Sequence, residues 1–390
     1  MFLGGALWRR VKGCVTGCVV GCVVGCLTGC GAGNGGVGGG EPLWLFVGSY
    51  AGEDEEGVKV YEFDQASGEA RYVSGVKGVA NPSYLCVCPR EGGAMVYAVG
   101  EGGEGNSSMN AIAFDASDAG LEVSDRVLTR GASPCYINRS EDGRWVVTAN
   151  YMGANVSVVR VDSAGRFAGD VATYGFEGRG VVEGRQEQPH PHCVEWTPDG
   201  RRLLACDLGL DCVHVFDVDR GAADASGYLR HTGDLLLEAG SGPRHIVYGK
   251  DGGTAYVINE ISGRVAVIGV RGDMAVRQYV ASDTVGAQGS GDIHVSGDGR
   301  FVYSSNRLEA DGVAVFGVEE DGRLRRVGYQ ATGRHPRNFV LTPNGRFVLV
   351  ACRDDNVIEV YERDAETGML SETGRRIETG RPVCMKFMWR

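Results

Sequence analysis

The 390-residue chain predicts an all-β fold: a seven-bladed β-propeller with four antiparallel strands per blade. Three observations carry that expectation. An entry signal recurs at Pro82, Pro134, Pro191, Pro243, Asp292, Pro336 and Pro382, with spacings of 52, 57, 52, 49, 44 and 46 residues, the range of propeller repeats. Each unit then repeats an Asx-Gly turn and several short strands of period-two alternation. Finally, the termini complement each other. One strand, CMKFMWR, follows Pro382, and three strands, LWLFVGSY, GVKVYEFD and EARYVSGV, precede Pro82. Pairing the C-terminal strand with these three completes one blade and removes the open edges.

Within a unit the elements follow from local chemistry. In Gly242–Glu260, GPRHIVYGKDGGTAYVINE, a strand over His245–Tyr248 and a second over Thr254–Ile258 flank a Lys-Asp-Gly-Gly turn. An antiparallel hairpin of this kind brings Arg244, entering the first strand, beside Glu260, leaving the second. Asp199, Asp298 and Asn344 precede Gly in the corresponding turns of other units and are assigned to turn-making. Asp211 is read as a turn residue. Buried second strands follow (WVVTAN, RLLACD, FVYSSN, FVLVAC), then alternating third strands such as NVSVVRVD and CVHVFDVD, then a weaker fourth.

The first forty residues read differently. Arg9, Arg10 and Lys12 precede an uncharged Gly/Cys-rich run, the outline of a secretory signal peptide. Leu27-Thr28-Gly29-Cys30 resembles a lipoprotein box, with Cys30 the lipidated residue and the only expected link to a membrane; Val15-Thr16-Gly17-Cys18 fits almost as well. A low-complexity extension is the plain alternative. The organisation expected is thus 1–40 as extension and linker and 41–390 as propeller. Cys86, Cys88, Cys135, Cys193, Cys206, Cys212, Cys352 and Cys384 fall in apolar strand patterns without metal-type pairing, as small reduced core residues. Reduced thiols favour the cytoplasm, whereas a genuine Cys30 box favours export.

Composition narrows function. A net charge of −11 argues against wholesale nucleic-acid binding. Gly is 63 of 390 residues, well above the usual ~7%, as many tight turns require. The chain contains neither a phosphate-cradling P-loop nor a G-x-S-x-G elbow.

What remains is the hub, where first strands line the channel and residues ~50 apart converge on one face. Residues after the entry signals are His190, His192, Arg244, His245, His294 and Arg337, joined by Asp292. The second-strand exits add Glu101, Asn150, Asp207, Glu260 and Arg307, with Asp207 a candidate to orient a histidine. Four of seven histidines at these anchors exceed what packing requires. A two-histidine metal site at His190 and His192 is geometrically open on an extended segment, but no acidic cluster accompanies it, and the expectation is no metal.

Four segments carry a resemblance: PHPHCVEWTPDGRRLLACDLGLD, GPRHIVYGKDGGTAYVINE, DIHVSGDGRFVYSSNR and PRNFVLTPNGRFVLVAC. Together and in order they resemble the seven-bladed propeller 6-phosphogluconolactonase family, which also contains fungal carboxy-cis,cis-muconate lactonising enzymes. The resemblance covers Leu43 to Arg390. It implies a hydrolase of the pentose phosphate route acting on a small phosphosugar lactone without a cofactor. It also implies a catalytic set of His192, with His190 beside it, Arg244, Glu260 and Arg307; the hub residues His190, His245, Asp207, Asp292, His294 and Arg337 are expected around the substrate. Arg244 and Arg307 suit fixed positive charge, and His192 or Glu260 a proton acceptor. Asp292 stands where the family usually has Glu, and Gly100-Glu101 where Asn-Glu is usual. A muconate-type cycloisomerase and a non-catalytic binding propeller are the alternative functions.

Overall fold

The computed structural model describes residues 42–272 and 274–390; the expectations for residues 1–40, including Cys30, lie outside them. Seven four-stranded antiparallel sheets radiate from a central channel. The inner strands are Pro382–Trp389, Leu85–Arg90, Pro134–Arg139, Pro191–Trp196, Pro243–Tyr248, Ser290–Val295 and Pro336–Leu341, in blades 1 to 7 respectively. Blade 1 closes the ring as the termini require: Leu43–Ser49 pairs antiparallel with Pro382–Trp389, from Leu43 opposite Trp389 to Gly48 opposite Cys384.

Burial explains the strand patterns. Second strands are sandwiched between neighbouring blades on both faces, so Trp145–Asn150, Thr254–Asn259 and Phe347–Cys352 are buried throughout and read as continuous apolar runs. Outermost strands, such as Phe167–Gly175, keep one face in water. Large side chains stitch blade to blade: Trp145 stacks on Tyr228 at 4.5 Å, and Phe63 of blade 1 meets Phe347 of blade 7 at 6.3 Å. All eight cysteines of the propeller are buried.

The turns repeat one device. Asp199, Asp298 and Asn344 each accept from a Ser or Thr hydroxyl two residues earlier and from the backbone N–H two residues later. Between them Gly200, Gly299 and Gly345 adopt φ of 63°, 76° and 71°, where a β-carbon is disfavoured.

A second repeated device builds the hub. Near the start of the inner strand the pairing register slips by one residue: between Pro134 and Tyr136, Pro191 and Cys193, Pro243 and His245, and Pro336 and Asn338, where one residue is skipped, and between Ser290 and Ile293, where two face Ser305. Such a bulge leaves one residue unpaired and re-aims its side chain. The bulged residues are Cys135, His192, Arg244 and Arg337, with Gly291 and Asp292 sharing the position in blade 6. The facing strand contributes the residue just after its end, pinned by one recurring backbone bond (Glu101 N–H to Asn81, Tyr151 to Ser133, Leu208 to His190, Glu260 to Gly242, Arg307 to Gly289).

Candidate active site at the hub mouth

Glu260 is the centre of the mouth. Its Oε2 accepts from Arg244 Nε at 2.9 Å and meets Arg307 Nη2 at 2.9 Å, while Oε1 accepts from Arg185 Nη2 at 2.6 Å. Burial alone would raise this carboxyl. Arg307, Arg244, Arg185 and Arg337, in falling order, override it and hold it at about 2. The hairpin therefore does join Arg244 to Glu260.

The arginines are braced. Arg244, essentially buried, also donates to the Gly291 carbonyl at 3.0 Å and to His245 Nε2 at 3.0 Å. Arg307 donates to the carbonyls of Gly289 at 2.7 Å and Ser290 at 3.2 Å. Burial pushes Arg307 down to about 9, against the pull of Glu260, so it stays cationic at neutral pH. Arg337 is partly open, 5.6 Å from the Tyr50 ring centroid; Tyr50, Glu101 and Glu260 hold its charge more firmly than burial weakens it.

His192 stands beside this cation cluster. Burial first, then Arg244, His245 and Arg337, keep it well below the ordinary imidazole range, so its ring is neutral. Among the described residues its Nδ1 is buried without a hydrogen-bond partner, as is Glu101 Oε2. Buried polar atoms without partners are expensive and rare. Two at one mouth mark where a polar ligand belongs.

The other expected residues divide. His190 stacks on Tyr151 at 4.2 Å with its Nδ1 against the Tyr151 carbonyl at 2.9 Å, and so buttresses the mouth. His245 and Asp292 lie beneath it. His245 Nδ1 donates to Asp292 Oδ1 at 2.7 Å, which fixes the tautomer and leaves Nε2 to accept from Arg244. Burial and Arg244 drive His245 down to about 3. His294 sits deeper still, between Asp292 Oδ2 at 2.9 Å and the Phe339 ring at 4.8 Å, away from the Glu260 cluster.

Asp207 and Asn150 correct the strand-exit expectation. They end their strands one residue before the position that Glu101, Glu260 and Arg307 occupy, and a one-residue offset in a strand sends a side chain to the opposite face. Asn150 accordingly bonds Asn155 and Ser157. Asp207, expected at the substrate, is fully buried. Its Oδ1 accepts from the backbone of His190, Gly209 and Leu210, and its Oδ2 meets His214 Nε2 at 3.2 Å. It does orient a histidine, but one outside the mouth. Asp211 has a turn conformation (φ 53°), and its carboxylate also ties Gln186, Gly240 and Gly242 together.

The true rim residues of blades 1 and 3 are Tyr50 and Tyr151, which the motif reading passed over. His335, 3.4 Å from Arg307 Nη1 through its Nε2 and pushed by burial to about 3, also escaped it. The largest omission is Arg185, carried by the segment between Gly175 and Pro191. One signal pointed there: the 57-residue interval from Pro134 to Pro191 is the longest of the six.

Among the described residues, the His, Cys and carboxylate group close enough to share one ion is Cys212, His214 and Asp234, in blade 4. Both ring nitrogens of His214 are engaged there, by Asp234 at 2.7 Å and Asp207 at 3.2 Å. His190 and His192 form no such group with acidic neighbours. A groove of about 570 Å³ at the opposite end of the molecule, lined by Arg90, Arg139, Arg144 and Arg160, shares no residue with the mouth.

The architecture has known relatives. Residues 44–387 match the family described as "Lactonase, 7-bladed beta-propeller". A 6-phosphogluconolactonase of Formosa agariphila is 33% identical over 336 residues, 84% of this chain and 94% of the relative. A solved Bacteroides fragilis structure is 43% identical with a TM-score of 0.84, covering 89% of this chain and 98% of its own. The Pseudomonas aeruginosa periplasmic gluconolactonase is 32% identical with a TM-score of 0.82, covering 89% and 99%. By fold, by sequence and by the span of the match, this chain belongs to the seven-bladed β-propeller lactonase family.

Proposed function

We propose that this protein hydrolyses 6-phosphogluconolactone to 6-phosphogluconate. The observation that carries the reading is the pairing at one mouth of a neutral, unpartnered His192 Nδ1 with guanidiniums gathered on Glu260. The relatives named 6-phosphogluconolactonase support the substrate class.

Lactone opening needs a water made nucleophilic, charge for the tetrahedral oxyanion, and a proton for the leaving alkoxide. In this reading His192 Nδ1 accepts the proton of the attacking water and returns it to the ring oxygen as the C–O bond breaks. Guanidiniums already fixed by backbone carbonyls stabilise the oxyanion without reorganising. Glu260, at about 2, is a poor base; its part is to hold Arg244 and Arg307 in place. No step calls for a cofactor.

A cycloisomerase would want a less basic mouth than one with Arg185, Arg244, Arg307 and Arg337. The test follows decay of freshly generated 6-phosphogluconolactone by the full chain, chelator present, against spontaneous hydrolysis, with unphosphorylated gluconolactone in parallel. Acceleration is expected for both, greater for the phosphorylated lactone. Acceleration of neither overturns the reading and turns the search to muconates, or to binding without turnover.

A further inference from the structure

The three arginines on Glu260 are not equivalent. Arg244 and Arg307 rise from the sheet edges, and each has firm carbonyl bonds besides Glu260. Their side chains are 2% and 6% exposed. Arg185 arrives from the long segment before blade 4, and its side chain is 29% exposed. Among the described residues its hydrogen-bonding contact beyond Glu260 is a marginal 3.4 Å approach to the Gln288 carbonyl, with the Tyr151 phenol close enough to feel its charge. Should Arg185 leave Glu260, that carboxylate keeps two arginines and stays compensated.

The backbone beneath Arg185 is fixed by contrast. Gln186, buried, accepts from the N–H groups of Val181 and Val182 through Oε1 and donates from Nε2 to the Leu208 carbonyl at 2.7 Å and to Asp211 at 2.8 Å. A β-carbon at Gly209 would collide with the Gln188 carbonyl. The Asp207-Leu208-Gly209-Leu210-Asp211 turn is thus the socket for this segment, and a rigid stem carries an arginine free to change partner.

Charge says what the new partner is. By formal charge, Arg185, Arg244, Arg307 and Arg337 face Glu260 and Glu101, leaving an excess of two positive charges; His192, His245 and His335 are held neutral. A phosphate monoester carries about −1.5 to −2 at neutral pH. Tyr151 stands between the two ends: its ring meets His192 at 5.7 Å, and the charge of Arg185 acts on its phenol. We propose that Arg185 is the specificity-determining residue that takes the phosphate at the far end of the substrate, turning from Glu260 to it with bidentate geometry. The inference rests on the lactonase reading for the reacting end, not for the anion.

The experiment compares wild type, Arg185→Ala and Arg185→Lys on two pairs of compounds: 6-phosphogluconolactone against gluconolactone for kcat/KM, and 6-phosphogluconate against gluconate for binding by calorimetry. In Arg185→Ala the preference for the phosphorylated member of each pair is expected to fall about 30-fold, the worth of a charge-assisted pair. Most of the kinetic loss should lie in KM, and Arg185→Lys should regain part of it. An unchanged preference, with both members weakened equally or not at all, overturns the inference. Should wild type open neither lactone yet bind 6-phosphogluconate in an Arg185-dependent way, the lactonase reading fails and the inference stands. Binding of 6-phosphogluconate that ignores Arg185, or no binding, removes it.

Discussion

The mouth of the channel and the shaft beneath it are built from the same strands and are equally rich in ionisable side chains, yet they are finished differently. In the shaft, Asp292 accepts from His245, from His294 and from Asn338 Nδ2, and from the Ile293 N–H. Tyr84 and Tyr136 stack at 4.0 Å, with Lys386 Nζ 3.3 Å from the Tyr84 hydroxyl and Glu195 closing on Tyr136 and Asn138. Burial works against the charge of Asp292, but His294, His245 and their hydrogen bonds overcome it and hold it well below the carboxylate range. At the mouth, His192 Nδ1 and Glu101 Oε2 have no partner among the described residues, and arginines outnumber carboxylates there. Polar networks that are complete hold a structure together; one left incomplete in a dry site is kept for something else. In the function we propose, the shaft serves as scaffold and the mouth gives up stability for chemistry.

The sharpest way to break this contrast is at His192. Because its Nδ1 satisfies nothing, His192→Phe is expected to leave stability against urea unchanged or slightly raised. Turnover of the lactone should fall roughly 1000-fold, as loss of a positioned general base does. A variant that unfolds more easily but still turns over would place His192 with the scaffold. Asp292→Asn should do the reverse. It substitutes an amide where three side-chain donors converge, and about 3 kcal/mol of unfolding free energy is expected to go. Activity at a temperature where the variant remains folded should fall far less than for His192→Phe. Comparable losses in both would mean that shaft and mouth are one unit.

The smallest effect is one of pH. His245 is lowered to about 3 and His192 well below the 6.5 of a free imidazole, so between those values the unfolded chain binds more protons. Stability therefore rises with pH through that window and is lost as pH falls below about 6.5, by at most ~1.4 kcal/mol per unit for each histidine. Glu260, about 2 folded against 4.5 unfolded, adds a loss of the same sign below pH 4.5. Urea unfolding from pH 7.5 to 5 reads the slope, and His192→Phe should lower it. A slope unaffected by that substitution would mean His192 titrates normally in the fold.

Much of this is legible in the sequence. The spacing of the prolines, the Asx-Gly-Arg turns and the unequal termini specify the blade count and the closure, because turns and strand alternation are local properties of a few residues. The Arg244–Glu260 neighbour pair was legible for the same reason, since a hairpin with a short turn leaves its outer ends no other place. The register at the rim was not. Asp207 and Glu260 look alike on paper as acids leaving second strands, but one stands a single residue earlier and faces away, toward His214. Arg185 was illegible because the segment that carries it obeys no repeat; its place follows from Gln186, Asp211 and the missing β-carbon at Gly209.

The sequence by itself determined the strands, their number, the way the ring closes and most of the residues that meet at the hub, since all of these rest on period-two burial and turn chemistry within a blade. Only the tertiary structure decided which of those residues act together. The bulges aim His192, Arg244 and Arg337 inward; burial with the charges of Arg244 and Arg337 keeps His192 neutral, and four arginines brought from segments far apart in the chain make Glu260 an anchor. Side-chain direction depends on register, and electrostatics on distances through space, and neither quantity is written in any one segment.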